Sequence, residues 1–231
     1  MIKKKQLTYD VLKTIESSTE PLGALYLSNK LDVPSATIGR LLLDLEYHAY
    51  LEKISNRGRV LTQAGSDYLK KLEDEMIAQE SALELYRLTQ CSEKKTVLDM
   101  LYARRTIEMA TVSLAAERIT EEQLQDLDRL IKGRSEKKLT EQGNRDIDFD
   151  FHLAIACISD NQSYEQILKL LLTKNNDKDN LTAIAKAACH MPNYYQHSAI
   201  INALRSHNQQ LSREVMRKHI DSYIDYIEKN L

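Results

Sequence analysis

The chain has 231 residues, enough for one large domain or two small ones with a buried core. Its formal net charge of −2 excludes a polycation, so any nucleic-acid binding must come from a local patch and not from bulk charge. No apolar run reaches the ~18–20 residues of a membrane span, and no apolar signal core follows the basic start Met1–Gln6. The three cysteines (Cys91, Cys157 and Cys189) lack metal-type spacing. The expectation is a soluble, cytoplasmic protein with reduced thiols.

Only 6 Gly and 3 Pro punctuate the sequence, which predicts a chain that is mostly helix. In chain order, Leu7, Val11, Leu12 and Ile15 recur at helical spacing and predict a helix over 7–17. A loop over 17–23 leads to a short helix over 24–31. Asp32-Val33-Pro34-Ser35 is the turn, with Pro34 suited to the first position of a third helix over 34–49. Residues 50–54 alternate apolar and polar, Asn56-Arg57-Gly58-Arg59 reads as a turn, and Val60-Leu61-Thr62 as the return strand. Three helices followed by a hairpin is the winged-helix order.

From residue 64 to about 86 the pattern is helical and charged, with Leu69, Leu72 and Met76 as one buried stripe. Helices are then expected over 96–117, 121–133, 144–158, 163–174 and 180–189, and over 193–229 in two pieces. Thr120 and Gln123 form a capping box, Gly133-Arg134-Ser135 is expected to end the helix it opens, and residues 175–180 form a polar break. The predicted fold is mainly α: a winged helix-turn-helix with a small β-hairpin over 1–75, a connecting helix over 76–95, and an all-α bundle over 96–231.

Residues 1–72 carry 11 Lys or Arg against 8 Asp or Glu, so the remainder is the acidic part of the chain. In a winged helix the third helix enters the major groove, and here it offers Ser35, Thr37 and Arg40 to base edges. Arg57 and Arg59, flanking Gly58, are suited to phosphates or to a narrow minor groove. Lys3, Lys4, Lys5 and Lys30 would add phosphate contacts that set affinity.

Six histidines occur, and the informative ones begin with Asp148-Phe149-Asp150-Phe151-His152, which contains both phenylalanines of the chain. Asp148 and His152 are four apart and share a helix face. His197 and His219 lie on two further predicted helices. Three imidazoles and one carboxylate from three helices suit zinc, nickel or manganese and disfavour calcium or magnesium. Taken singly, each of these histidines also reads as an ordinary, partly buried imidazole.

Residues 96–228 resemble the FCD ligand-binding domain of the FadR subfamily of GntR-type regulators. The carriers are Leu101-Tyr102-Ala103-Arg104-Arg105-Thr106-Ile107-Glu108 and Leu114-Ala115-Ala116-Glu117-Arg118, then Asp148-x-x-Phe151-His152-x-x-Ile155-Ala156 with Ser159-Asp160-Asn161. His197-x-x-Ile200-x-x-Ala203-Leu204 and Met216-Arg217-x-His219 complete the set. The resemblance implies a divalent metal, zinc first, with nickel or manganese as alternatives, held by Asp148, His152, His197 and His219. It also implies a small carboxylate effector, with Arg104 as its anchor, and a homodimer on double-stranded operator DNA. A salt bridge to Glu108 is the other reading of Arg104. The wing matches the family, but the recognition arginines do not, since Pro34, Ser35 and Gly39 stand in their places.

The function expected is an effector-responsive transcription regulator, not an enzyme, with the segment 64–93 transmitting the signal. Two alternatives stand beside it: a regulator for which the ion itself is the signal, and a metal-dependent hydrolase, whose only candidate base is Asp150.

Overall fold

The structure, a computed structural model, describes residues 2–136, 141–172 and 193–231. The expected helix over 180–189, the polar break at 175–180, Cys189 and His190 lie outside the described residues. By internal packing the chain divides into two units, Met1–Ala82 and Leu83–Leu231.

The first unit holds α1 (Ile2–Glu16), α2 (Ala24–Leu31), α3 (Ser35–Tyr47), strands β1 (Leu51–Ile54) and β2 (Gly58–Leu61), and the start of α4 (Gln63–Thr89). Val11, Leu12 and Ile15 of α1 pack with Leu27, Ile38, Leu42, Leu45 and Leu51, and with Leu69 and Leu72 of α4, in one apolar core. Burying such side chains contributes about 1.5–3 kcal/mol each and is what closes this small unit. Met76, the last member of the expected stripe, is only half-buried.

Pro34 sits one residue earlier than the sequence suggested. Its ψ of 133° is extended, so it caps α3, and its carbonyl accepts from Thr37 N at 2.8 Å. The helix reaches only to Tyr47, because Ala49 turns left-handed with φ 59°. Thr62 then opens α4: its hydroxyl oxygen accepts from Gly65 N at 2.9 Å while donating to Ala49 O at 2.7 Å.

β1 and β2 pair antiparallel, Leu51 opposite Leu61 and Ile54 opposite Gly58. The turn between them is 55–57, so Gly58 is the first residue of β2 and not the tip. The expected loop over 17–23 contributes an isolated bridge: Leu22 N donates to Arg59 O at 3.0 Å and Arg59 N to Leu22 O at 2.9 Å. Gly58 is required at this crossing. Its φ is +138°, and a Cβ there would lie 2.5 Å from the Leu22 carbonyl carbon.

The second unit holds α5 (Lys94–Arg118), α6 (Glu121–Glu136), α7 (Glu141–Ile158), α8 (Gln162–Leu171), α9 (Asn193–Arg205) and α10 (Gln209–Asn230). α5 is the central helix. Its buried residues Val97, Met100, Leu101, Arg104, Glu108, Thr111, Val112, Ala115 and Ala116 recur every three or four positions. α10 packs along α5, α6 packs on α7 and α9, and the shared core includes Leu124, Leu127, Phe151, Ile155, Ile200, Leu204, Met216 and Tyr223.

The capping box forms as expected: Gln123 N donates to Thr120 Oγ1 at 3.2 Å and Thr120 N to Gln123 Oε1 at 3.0 Å. α6 does not stop at Gly133 but continues to Glu136. A single glycine costs a helix only about 1 kcal/mol, too little to end one that is otherwise packed. Asn161 and Asn208 cap α8 and α10 by accepting from Tyr164 N and Leu211 N.

Candidate metal centre

α7 places Asp148 and His152 one turn apart on its inner face, α9 supplies His197, and α10 supplies His219. All four are buried in the second unit, at 5%, 1%, 0% and 2% exposure. One ligand atom from each lies within 4.8 Å of the other three. His152 Nε2 faces His219 Nε2 at 3.1 Å, and Asp148 Oδ1 lies 3.2 Å from His197 Nε2 and 3.8 Å from His152 Nε2.

The neighbours fix which ring nitrogens carry protons. His219 Nδ1 lies 2.7 Å from Gln196 Oε1, an acceptor, so Nδ1 bears the hydrogen and Nε2 a lone pair. His152 Nδ1 is in close contact with Glu108 Oε2, without hydrogen-bond alignment between the two. With both Nδ1 atoms protonated the two Nε2 lone pairs face each other, and a cation between them would relieve the repulsion. Metal–nitrogen bonds of about 2.0–2.1 Å would set such nitrogens roughly 3.0 to 3.4 Å apart, the range in which 3.1 Å falls. The donor set thus fits a divalent transition metal.

Electrostatics favour an anionic Asp148. Burial alone would raise the Asp148 pKa, but the His197 hydrogen bond and the charges of His152 and Arg104 hold it well below the usual carboxylate range. Burial, and after it the neighbouring imidazoles, push His219 well below the ordinary histidine value. Tyr223, one turn beyond His219, donates its hydroxyl to Asp148 Oδ1 at 2.9 Å. Burial and then the Asp148 charge push the Tyr223 pKa well up, so the hydroxyl keeps its proton. Phe151 stacks on His197 with centroids 4.1 Å apart and holds that ring in place.

The two readings of Arg104 meet in one geometry. Its Nε pairs with Glu108 Oε1 at 2.7 Å, with both side chains buried. Its Nη2 is buried with no hydrogen-bond partner among the described residues. The guanidinium also lies over the Tyr223 ring, 5.9 Å from the centroid. Glu108, Gln196 and Tyr223 escaped the sequence reading as parts of this site. Glu108 was legible only as a partner for Arg104 one turn away, because its approach to His152 joins residues more than 40 positions apart in the chain.

In the first unit, Ser35 and Arg40 are exposed on α3 and Thr37 is half-buried. Arg57 is exposed in the hairpin turn. Arg59 is a correction: it does not flank the tip but lies in β2, with its guanidinium paired to Glu46 of α3 and 14% exposed. The Leu22 bridge fixes this strand position and turns the side chain toward the helix. Lys4 lies 3.5 Å from Asp44, Lys5 lies 2.5 Å from Glu75, and Lys30 is exposed beside Tyr26. The side chain of Lys3 lies outside the described residues. No described helix is long and apolar enough to cross a membrane.

Comparison with known proteins places these features in context. Residues 99–222 match the FCD domain family. LutR of Bacillus subtilis (strain 168), an HTH-type transcriptional regulator, is 26% identical over 179 residues, covering 74% of this chain and 80% of LutR. Among solved structures, Lar, which controls the expression of the Listeria monocytogenes agr system, matches 98% of this chain and 97% of its own with a TM-score of 0.52 at 12% identity. Streptococcus agalactiae GntR matches 96% of this chain and 99% of its own at 22% identity, with a TM-score of 0.45. The likeness to Lar is one of fold.

Proposed function

The chain belongs to the FCD-domain family of GntR-type transcription regulators, and from that premise we propose that it is a DNA-binding regulator whose helical unit binds a divalent transition metal through Asp148, His152, His197 and His219 and responds to a small carboxylate. The observation that carries this reading is the buried gathering of four donors within 4.8 Å, with the Nε2 atoms of His152 and His219 facing at 3.1 Å and an oxygen of Glu108 or Gln196 beside each Nδ1.

Zinc is the first expectation, with nickel or manganese as alternatives. The ion would supply a Lewis-acidic point at which an anionic effector is held. The chain's own residues do the rest. Gln196 orients the His219 ring, Tyr223 holds Asp148, and Phe151 holds the His197 ring. Arg104 presents a buried Nη2 edge suited to a carboxylate. An effector that prefers one arrangement of the helical unit shifts DNA affinity by that preference, and the coupling is reciprocal. The winged helix, acting in a homodimer on a two-fold operator, reads DNA through α3 and through Arg57.

The reading in which the ion is itself the signal shares this site and differs in affinity. A resident cofactor survives dialysis against a weak chelator, and a signal does not. A hydrolase is not favoured, since Asp150, its candidate base, is exposed while the four donors are buried.

Elemental analysis of the purified full chain, before and after dialysis, tests the metal. About one transition-metal ion per chain is expected. A chain that takes up none, even from added Zn2+, overturns the reading.

A further inference from the structure

Glu108 sets both carboxylate oxygens beside basic groups inside the bundle. Oε1 accepts from Arg104 Nε at 2.7 Å, and Oε2 is in close contact with His152 Nδ1. The glutamate is 1% exposed, so water does not compete for either oxygen. Its two neighbours belong to different parts of the site. Arg104 lies one turn back on α5, while His152 lies on α7 and is one of the donors.

We propose that Glu108 is a positioning residue for the metal centre: it holds the proton of His152 on Nδ1, so that Nε2 keeps its lone pair aimed at the ion, while Arg104 holds Glu108 in that orientation. This rests on the reading of Asp148, His152, His197 and His219 as a metal site. The physical requirement is specific. Arg104 Nε–H and a proton on His152 Nδ1 each need an acceptor, and the carboxylate gives each its own oxygen, Oε1 and Oε2. A glutamine offers one oxygen and one NH2. If the NH2 faces His152, the ring takes the other tautomer and puts a proton on Nε2, which then cannot ligate. A carboxylate behind a ligating imidazole also raises its basicity, and losing such a partner lowers metal affinity about 10–100-fold.

The decisive comparison removes the buried charge pair in both arms and changes only the acceptor. Arg104→Met with Glu108→Gln leaves an amide oxygen that is available to His152 alone. Arg104→Met with Glu108→Leu leaves none. Zn2+ affinity is measured by competition with a fluorescent chelator, with Co2+ absorption as a check on the ligand field. The glutamine variant is expected to bind Zn2+ about 10–100-fold more tightly than the leucine variant, with a Co2+ spectrum closer to wild type. Equal affinity in the two variants, with wild-type binding intact, overturns the positioning role and leaves the metal site standing. A wild-type chain that binds no Zn2+ overturns the metal reading and this inference with it. A second measurement needs no variant. Imidazole 15N NMR of chelator-treated wild-type protein is expected to show His152 protonated on Nδ1, and the Nε2–H tautomer overturns the proposal.

Discussion

His152 and His219 point their Nε2 atoms at each other across the interior of the helical unit, 3.1 Å apart, with Glu108 behind one ring and Gln196 behind the other. It is the arrangement that the proposed metal site requires.

Replacing two donors should therefore remove the ion and the stability it brings. His152→Ala with His197→Ala is expected to reduce bound metal from about one per chain to near zero by elemental analysis. A ligand present at 100–1,000 times its Kd stabilises by about 2.7–4.1 kcal/mol, and the wild-type melting temperature should fall toward that of the double variant when a strong chelator is added. Unchanged metal content in the variant would exclude these two residues from the site.

Tyr223→Phe isolates the hydroxyl that serves Asp148. The ring, which packs in the core, is retained, and only the donor at 2.9 Å is lost. The chelator-treated protein should be destabilised by about 1–3 kcal/mol in urea unfolding, the usual cost of weakening a buried, charge-assisted hydrogen bond. A midpoint identical to wild type would mean that Asp148 does not depend on this donor.

The two wing arginines should now separate in their effects. Arg57 is exposed in the turn, so Arg57→Ala is expected to weaken DNA binding across all sequences and to lower the slope of log affinity against log salt by about one. Arg59 is tied to Glu46 and is only 14% exposed. Arg59→Ala should instead cost about 1 kcal/mol of stability, as a partly buried pair does, and leave the salt slope nearly intact. Equal loss of slope in both variants would return Arg59 to the DNA surface.

Gly58→Ala probes the crossing of the loop and the hairpin. An alanine there takes a φ of +138° and drives its Cβ to 2.5 Å from the Leu22 carbonyl carbon. Strain of this kind costs about 1–3 kcal/mol before any clash is relieved, so the variant should melt lower and bind DNA more weakly, with metal content unchanged. A variant as stable as wild type would show that the backbone there yields without cost.

Much of this architecture was legible in residues 1–231 taken as a string. Helical spacing of Leu7, Val11, Leu12 and Ile15, the capping pair Thr120 and Gln123, and alternation through Leu51–Ile54 are local signals, and local signals survive folding because the same residues make the contacts. The i, i+4 pair Asp148 and His152 is of this kind. Pro34, Gly133 and Arg59 were misplaced for the opposite reason. Whether a proline caps or starts a helix, whether one glycine ends it, and where an arginine on a hairpin points are settled by what packs against them: the extended ψ at Pro34, the continuing helix through Gly133, and Leu22 beside β2.

By itself the sequence determined the element types, the winged-helix order, and the identities of four residues able to ligate a metal. Only the tertiary structure decided that the four share one buried pocket, and that Glu108, Gln196 and Tyr223 stand behind them. The reason is one of range. Helix propensity and periodicity are set by residues three or four apart. A ring's tautomer and a carboxylate's charge state are set by whichever atoms folding brings within about 3 Å, and at His152 those atoms belong to residues more than 40 positions away in the chain.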